Sequence, residues 1–558
     1  MRNSSHRCRF GYGFALILLL AGLAAAQSRG LKLIRAEDMS RWLEFLAAPE
    51  FEGRNSPSTP YTIAARYVAL EARRIGLKPL LPGGEWFQPV PVEVTTVSAA
   101  KSRLRVVGSG GEQTFFFPQS FVANPRGMNE GTASGGLVLV EPWPALPAAE
   151  LEKALNAVGL DFRGKIVVTL ASTPPAAASS QAGGTAAMIL ARFLRSKGAA
   201  GMVTIITPER EKNLAQKGLW FDVGERLRFP DIDTSIPGSA APAVAAPGAG
   251  AAPAPFYQAE VRHDAGAAIL GLSRPELEAL FDGAGRAAAV TAKEMAGRTV
   301  EIAIYFDVRA ASTPNVVGWI EGSDSKLKDE FVVLSSHIDH LASREGRIFP
   351  GADDNGSATV GMLSLAKALT AERPRRSIVF LWNTCEEDGL VGAYYFVQHC
   401  PVPVDKISAN LNMDMLSRND PGMIYLIGSN KISSELDRSF QVQNERSVRL
   451  RLDYTFESPT HPDRFFFRSD QYPFIRFGIP GVWVFCGTTP DYHQATDSFE
   501  RADLAKAEKV VKLVYLVALD IGNKPALLKL DLNPEIATRG AHNMRINWQR
   551  PAGPTEKR

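Results

Sequence analysis

In the second half of this chain, short apolar runs stop at residues that bind metals or move protons. The run 331–336 leads into His337, the run 377–382 precedes Glu386 and Glu387, and the run 481–486 precedes His493, while Asp414 ends a more polar strand pattern at 407–414. Such runs, short and largely apolar, are what strands buried on both faces of a sheet look like. An open α/β sheet collects whatever lies beyond the carboxyl ends of its strands into one place. The chain is therefore constrained twice. It should build a mixed, mostly parallel sheet sandwiched by helices, and that sheet should gather these side chains at one edge.

The remaining patterns fill in around that sheet. Strands are expected at 301–308, 315–320, 330–335, 376–383, 407–414, 423–427 and 481–486, with helices at 356–370, 389–398, 431–446 and 502–520. Residues 36–77 carry two helical patterns. Met39, Trp42, Leu43 and Leu46 share one face, and Ala64, Tyr67, Val68 and Leu70 mark a second helix that Gly76 closes. From about Pro91, β-type runs take over at 92–97, 104–107, 114–117, 136–140 and 165–170, then a helix at 193–200 runs into a strand at 201–206. The Ala/Pro/Gly tract 236–256 reads as a flexible loop, and 270–280 as a helix capped by Ser273.

The amino terminus reads as a secretory signal. Arg2, Arg7 and Arg9 precede the apolar run 14–20, and Ala24 to Ala26 offer a cleavage site before Gln27. The run is short for a membrane-spanning helix. Removing these three arginines from 62 basic residues leaves 59, equal to the 59 acidic ones. A formally neutral mature chain gives no reason to expect a nucleic-acid or anionic-membrane partner. Cys385, Cys400 and Cys486 remain, an odd number without CxxC spacing, so neither a disulfide pairing nor a thiolate zinc site can be read from them.

Each chemical motif has a bland alternative. His337-x-Asp339 could be a metal-bound imidazole with a carboxylate to orient it, or a hydrogen-bonded surface pair. Asp353 and Asp354, in a Gly-flanked turn before a helix, exceed what a cap needs: one could bridge two cations while the other holds the loop. Glu386, Glu387 and Asp388 crowd like charges after a buried strand, which cations would relieve, with one glutamate as ligand and one as general base. Asp414 alone could be an ordinary strand-end cap, and a lone His493 could be structural. Of eight histidines, only His337, His340, His461 and His493 fall in loops fit for catalysis. An oxygen and imidazole donor set suits zinc, and also cobalt or manganese. Five donors with one shared carboxylate suit two metals roughly 3.5–4 Å apart.

In order and spacing, His337-x-Asp339, the Gly-Ala-Asp-Asp-Asn-Gly-Ser motif of 351–357, Glu386-Glu387, the Asn-Met-Asp of 412–414 and Tyr492-His493 resemble the M28 family of zinc metallopeptidases. The segment 46–54, ending in Glu52-Gly53-Arg54, is similar to that family's amino-terminal helices. The patterns at 162–168 and 198–203 resemble a protease-associated domain. The resemblance covers nearly all of the mature chain. It implies a zinc-exopeptidase-like α/β fold with an inserted β-rich protease-associated (PA) domain. The implied organisation is a signal peptide at 1–26, amino-terminal helices of the catalytic domain at 27–90, the PA-like insert at 91–295 with its loop 236–256, the catalytic domain at 296–525 and a tail at 526–558.

The resemblance also implies two Zn2+ per chain. His337, Asp354, Glu387, Asp414 and His493 would be the ligands, with Asp354 as the bridge. Glu386 would be the general base and Asp339 the partner of His337. Gln471 stands where the family's Ser-Asp-His-x-x-Phe loop has histidine, so altered pocket polarity is expected. The implied protein is a periplasmic or extracellular aminopeptidase acting on peptide or protein N-termini. A carboxypeptidase would need an arginine cluster, for which Arg464, Arg468 and Arg476 are available. A receptor or scaffold that had lost catalysis should show broken ligands, and all five are present. A glutaminyl cyclase is disfavoured by the large insert.

Overall fold

A computed structural model describes residues 28–540 except 124–129, 142–147, 172–185, 220, 222–224, 231, 233–254, 283–289, 459, 534–535 and 537. The signal segment and nearly all of the 236–256 tract lie outside the described residues. At the centre is a ten-stranded mixed sheet. Its middle consists of Gly481–Phe485, Ile407–Met413, Phe331–His337 and Ser377–Asn383, parallel to one another in that order. Every residue of these four strands is buried, which is why most of them read as largely apolar runs. Antiparallel strands flank them, with Phe306–Ile320 beside Ser377–Asn383 and Met423–Ile427 beside Gly481–Phe485.

Helices cover both faces. Ala36–Leu46, Thr59–Ile75, Ala358–Ala371 and Leu504–Asn523 pack on one side through Met39, Leu43, Val68, Leu363 and Val514. Val391–Gln398 and Gln471–Arg476 cover the other through Phe396 and Phe474. Local chemistry sets the ends of Thr59–Ile75. Ser58 accepts from the Tyr61 N–H at its start, and Gly76, at φ 110, closes it. Burying a leucine on such a face is worth roughly 2–3 kcal/mol. Among the described residues, no helix is long and apolar enough to cross a membrane.

A second, eight-stranded sheet carries its own apolar core, including Leu104, Val168, Val203 and Ile302. Its strands Gly131–Glu141, Ile166–Leu170, Gly201–Ile205 and Tyr257–Val261 run parallel, with antiparallel neighbours at both edges. Four local expectations change, and the first is the strand expected at 301–308, which is divided between Thr291–Ile304 of this sheet and Phe306–Ile320 of the large one. Residues 92–97 belong to the strand Phe87–Val97, which pairs along Phe306–Ile320 in the large sheet. The helix expected at 270–280 is two helices, His263–Leu270 and Arg274–Asp282, because Gly271 takes φ 69 between them. Before the second, the N–H and hydroxyl of Ser273 both donate to Glu276, which is the glutamate's half of a capping box. The helix expected at 193–200 lies at Ala186–Ser196 instead, and Gly198 at φ 75 turns the chain into the next strand.

Candidate metal centre

The parallel strands deliver their cargo to one edge. His337 is the last residue of Phe331–His337. Asp353 and Asp354 lie in the turn Ala352–Ser357, which Gly351 enters at φ 59 and which leads into Ala358–Ala371. Ser377–Asn383 runs through Thr384 and Cys385, at φ 50, to Glu386 and Glu387. Asp414 follows Ile407–Met413, and His493, at φ 57, lies in the loop after Gly481–Phe485.

All five residues expected to bind metal come together, with Glu386 among them. His337 Nε2 lies 3.6 Å from Asp354 Oδ1, 3.4 Å from Asp414 Oδ1 and 3.7 Å from Glu386 Oε2. His493 Nε2 lies 3.2 Å from both Asp354 Oδ2 and Glu387 Oε2. Asp354 thus gives one oxygen to each side. Two donor groups result, sharing Asp354: His337, Asp354 and Asp414 form one, and His340, Asp354, Glu387 and His493 the other.

Several of these atoms have no other use. His337 Nε2, His493 Nε2 and Asp414 Oδ1 are buried without a hydrogen-bond partner. Buried polar atoms are normally satisfied, so orphaned donors converging in this way fit a cation. Nitrogen and oxygen donors without a thiolate fit zinc. Electrostatics agree. Burial, reinforced by the Asp414 and Glu387 charges, pushes the Glu386 carboxyl well above the usual range despite the nearby His337. Burial acts the same way on Glu387, yet the hydrogen bond with His340 and the close His493 imidazole hold it well below. Neighbouring glutamates are thereby driven apart, one towards carrying a proton and one towards staying ionised.

Asp339 differs in detail from its expected part. His337 Nδ1 is 3.0 Å from the Asp339 backbone carbonyl, while the carboxylate is 4.0 Å away. That carboxylate instead accepts the N–H groups of Glu386 and Glu387. A two-residue step along extended chain puts side chains on one side, but the chain leaves the strand at His337 and that rule lapses.

Other supports had no signal in sequence spacing. Ser469 donates to Asp414 Oδ2 at 2.7 Å and is itself held by Asn412 at 2.8 Å. Asp497 accepts the N–H groups of both Asp353 and Asp354 at 3.1 Å. Buried Arg54 donates to the carbonyls of Leu46, Ile338, Pro350 and Gly351. Gln471 is fully buried, donates to the Phe466 carbonyl and does not line the cleft, so the pocket polarity expected to change there is unaffected by direct contact. Cys385, Cys400 and Cys486 are unpaired thiols.

The centre opens into a cleft of about 270 Å³, walled by Leu390, Met415, Phe465, Phe467, Trp483 and Phe485. Arg468 and Tyr492 also face it, and the Arg468 guanidinium donates to the Tyr492 hydroxyl at 3.0 Å.

With this geometry in place, residues 315–518 match the model of peptidase family M28. Over that segment the chain is similar to peptidase family M28. The segment contains every residue of the centre. A probable leucine aminopeptidase 2 of Aspergillus oryzae is 30% identical over 194 residues, covering 34% of this chain and 37% of that protein. Leucine aminopeptidase 2 of Trichophyton equinum is 29% identical over 198 residues, covering 34% of this chain and 36% of that protein. The chain thus spans little more than a third of the length of these relatives. Among solved structures, an aminopeptidase from Aneurinibacillus sp. strain AM-1 aligns at TM-score 0.50 and 16% identity, over 90% of this chain and 97% of that one. BSAP, a zinc aminopeptidase from Bacillus subtilis, aligns at TM-score 0.50 and 15% identity, over 89% and 99%. These two likenesses concern the fold, a mixed α/β arrangement around the M28-like segment.

Proposed function

We propose that this chain is an exported, zinc-dependent aminopeptidase with two metal positions. One is formed by His337, Asp354 and Asp414, the other by Asp354, Glu387 and His493, and Glu386 is the general base. The observation that carries the reading is the Asp354 carboxylate, which turns Oδ1 to His337 and Oδ2 to His493. When bound, two zinc ions would supply Lewis acidity to a scissile carbonyl and lower the pKa of an attacking water. Glu386 takes the proton from that water and passes it to the leaving amine. Tyr492, whose oxygen already accepts from Arg468, keeps its own proton free to donate to the developing oxyanion. The apolar cleft walls favour a large apolar residue at the peptide terminus. We read the eight-stranded sheet as an inserted PA-like domain. Export rests on the sequence of residues 1–26.

An aminopeptidase is favoured over a carboxypeptidase by where the arginines lie. Arg476 is buried against the Tyr394 ring, and Arg464 stacks on Phe467. Of the three, Arg468 alone lines the cleft. A carboxylate clamp would need more, whereas the acidic centre suits a free α-amine. The test uses purified zinc-loaded chain and a mixed peptide library, half of it N-acetylated, with products read by mass spectrometry. Stepwise loss from free N-termini only is expected. Trimming from C-termini in both halves would make the enzyme a carboxypeptidase, and no cleavage with metal bound would favour a non-catalytic receptor.

A further inference from the structure

His340 is the one histidine of the His337–His340 segment that the proposed ligand set leaves without a task. Its side chain is fully buried. Nδ1 lies 2.9 Å from Glu387 Oε1, while its distance to Asp354 Oδ2 is 3.8 Å. Glu387 therefore divides its oxygens, with Oε1 against His340 and Oε2 at 3.2 Å from His493 Nε2. The ring is held from two sides. A Cβ on Gly351 would come within 2.6 Å of His340 Cγ and Cδ2, so the glycine gives the imidazole its seat. On the other side the ring meets His493 edge-on, with centroids 5.6 Å apart and planes at 71°. Nε2 is buried with no hydrogen-bond partner. An acceptor at Nδ1 and none at Nε2 places the proton of the neutral ring on Nδ1.

We propose that His340 is a positioning residue for the metal position formed by Asp354, Glu387 and His493. Its Nδ1–H donates to Glu387 Oε1, so Glu387 offers the cation Oε2 alone and a coordination position stays open for water or substrate. A nitrogen that donates its proton cannot also give a lone pair, which separates this role from that of a fourth ligand. Partners of this kind commonly set ligand orientation and affinity. The inference rests on reading the centre as a two-metal site.

The test compares the full-length wild type with His340→Phe and His340→Asn. Each is stripped of metal, reloaded with zinc and titrated against a competing chelator, and the cobalt-substituted forms are compared by visible absorption. The expected wild type binds two ions. In His340→Phe one of the two affinities falls about 10–100-fold while the other holds. Its cobalt bands weaken as Glu387 swings to bind through both oxygens and coordination number rises. His340→Asn, whose amide can still donate, recovers part of the affinity. Should His340→Phe not fold, His340→Ala is read in the same way. Wild-type affinities and an unchanged cobalt spectrum in the variant would overturn the proposal. A wild type that binds only one ion at saturating metal, or none, would instead sink the two-metal reading on which the inference rests.

Discussion

Glu386 and Glu387 are neighbours in sequence with opposed environments. Glu387 is held by two imidazoles, whereas Glu386 faces buried negative charge. This asymmetry supports the proposed division of labour, with Glu387 as ligand and Glu386 as base. Glu386→Gln keeps shape and hydrogen bonding but cannot accept a proton. It should lower kcat by about 10²–10⁴-fold while metal content, measured by mass spectrometry of the ions, stays at the wild-type value. Turnover within a few-fold of wild type would remove Glu386 from that role. The histidines show the same principle. His337 and His493 leave Nε2 without a hydrogen bond, as Asp414 leaves Oδ1, and these orphaned atoms favour a cation site over a cluster of buried salt bridges.

Between residues and fold stand a few loops that must not move. Arg54 ties the chain after Ala36–Leu46 to the loop beyond His337 and to the turn carrying Asp354. Replacing it by Met strands buried carbonyls. The loss should be on the order of 3–5 kcal/mol in denaturant unfolding, since each unsatisfied buried group costs about 1–3. Arg54→Lys should rescue little, because a compact ammonium cannot span four acceptors in a planar fork. A second element has a pH signature. In the turn Thr455–Glu457, burial pushes Glu457 up to about 7, partly offset by Lys431 at 3.5 Å and by Asn430. The folded chain therefore binds this proton more tightly than the unfolded chain does. The associated stability is fully present below about pH 4.5 and is lost as pH rises through about 7. Glu457→Gln should flatten stability across that window in unfolding curves taken at several pH values. A slope identical to wild type would show that Glu457 titrates normally.

At the scale of the whole molecule, one parallel sheet concentrates Asp354, Glu386, Glu387 and Asp414 at a single edge, and their mutual repulsion opposes folding unless cations occupy it. Ions that bind only the folded chain stabilise it, by about 4 kcal/mol when free ion exceeds Kd a thousandfold. Chelation should lower the thermal midpoint by on the order of 10 °C. Zinc should restore it and magnesium should not, as followed by scanning calorimetry. A midpoint indifferent to chelator would mean that the acids are relieved in some other way.

The sequence by itself determined the parallel strands and which residues stand at their ends. That information is local: runs buried on both faces are largely apolar, and a charge at the end of such a run shows at once. It also marked Asp354 and the glutamate pair, because clustered acids are costly without a purpose. Other features are relations between segments tens to hundreds of residues apart, and only the tertiary structure decided them. Phe87–Val97 enters the large sheet because of its partner Phe306–Ile320, not its own composition. Asp339 turns its carboxylate to the Glu386 and Glu387 N–H groups because the chain bends after the strand. Arg54 and Ser469 show no role in sequence, and His340 shows only that it lies in a loop fit for catalysis. Each acquires its part only when folding removes water and brings particular carbonyls or carboxylates against it.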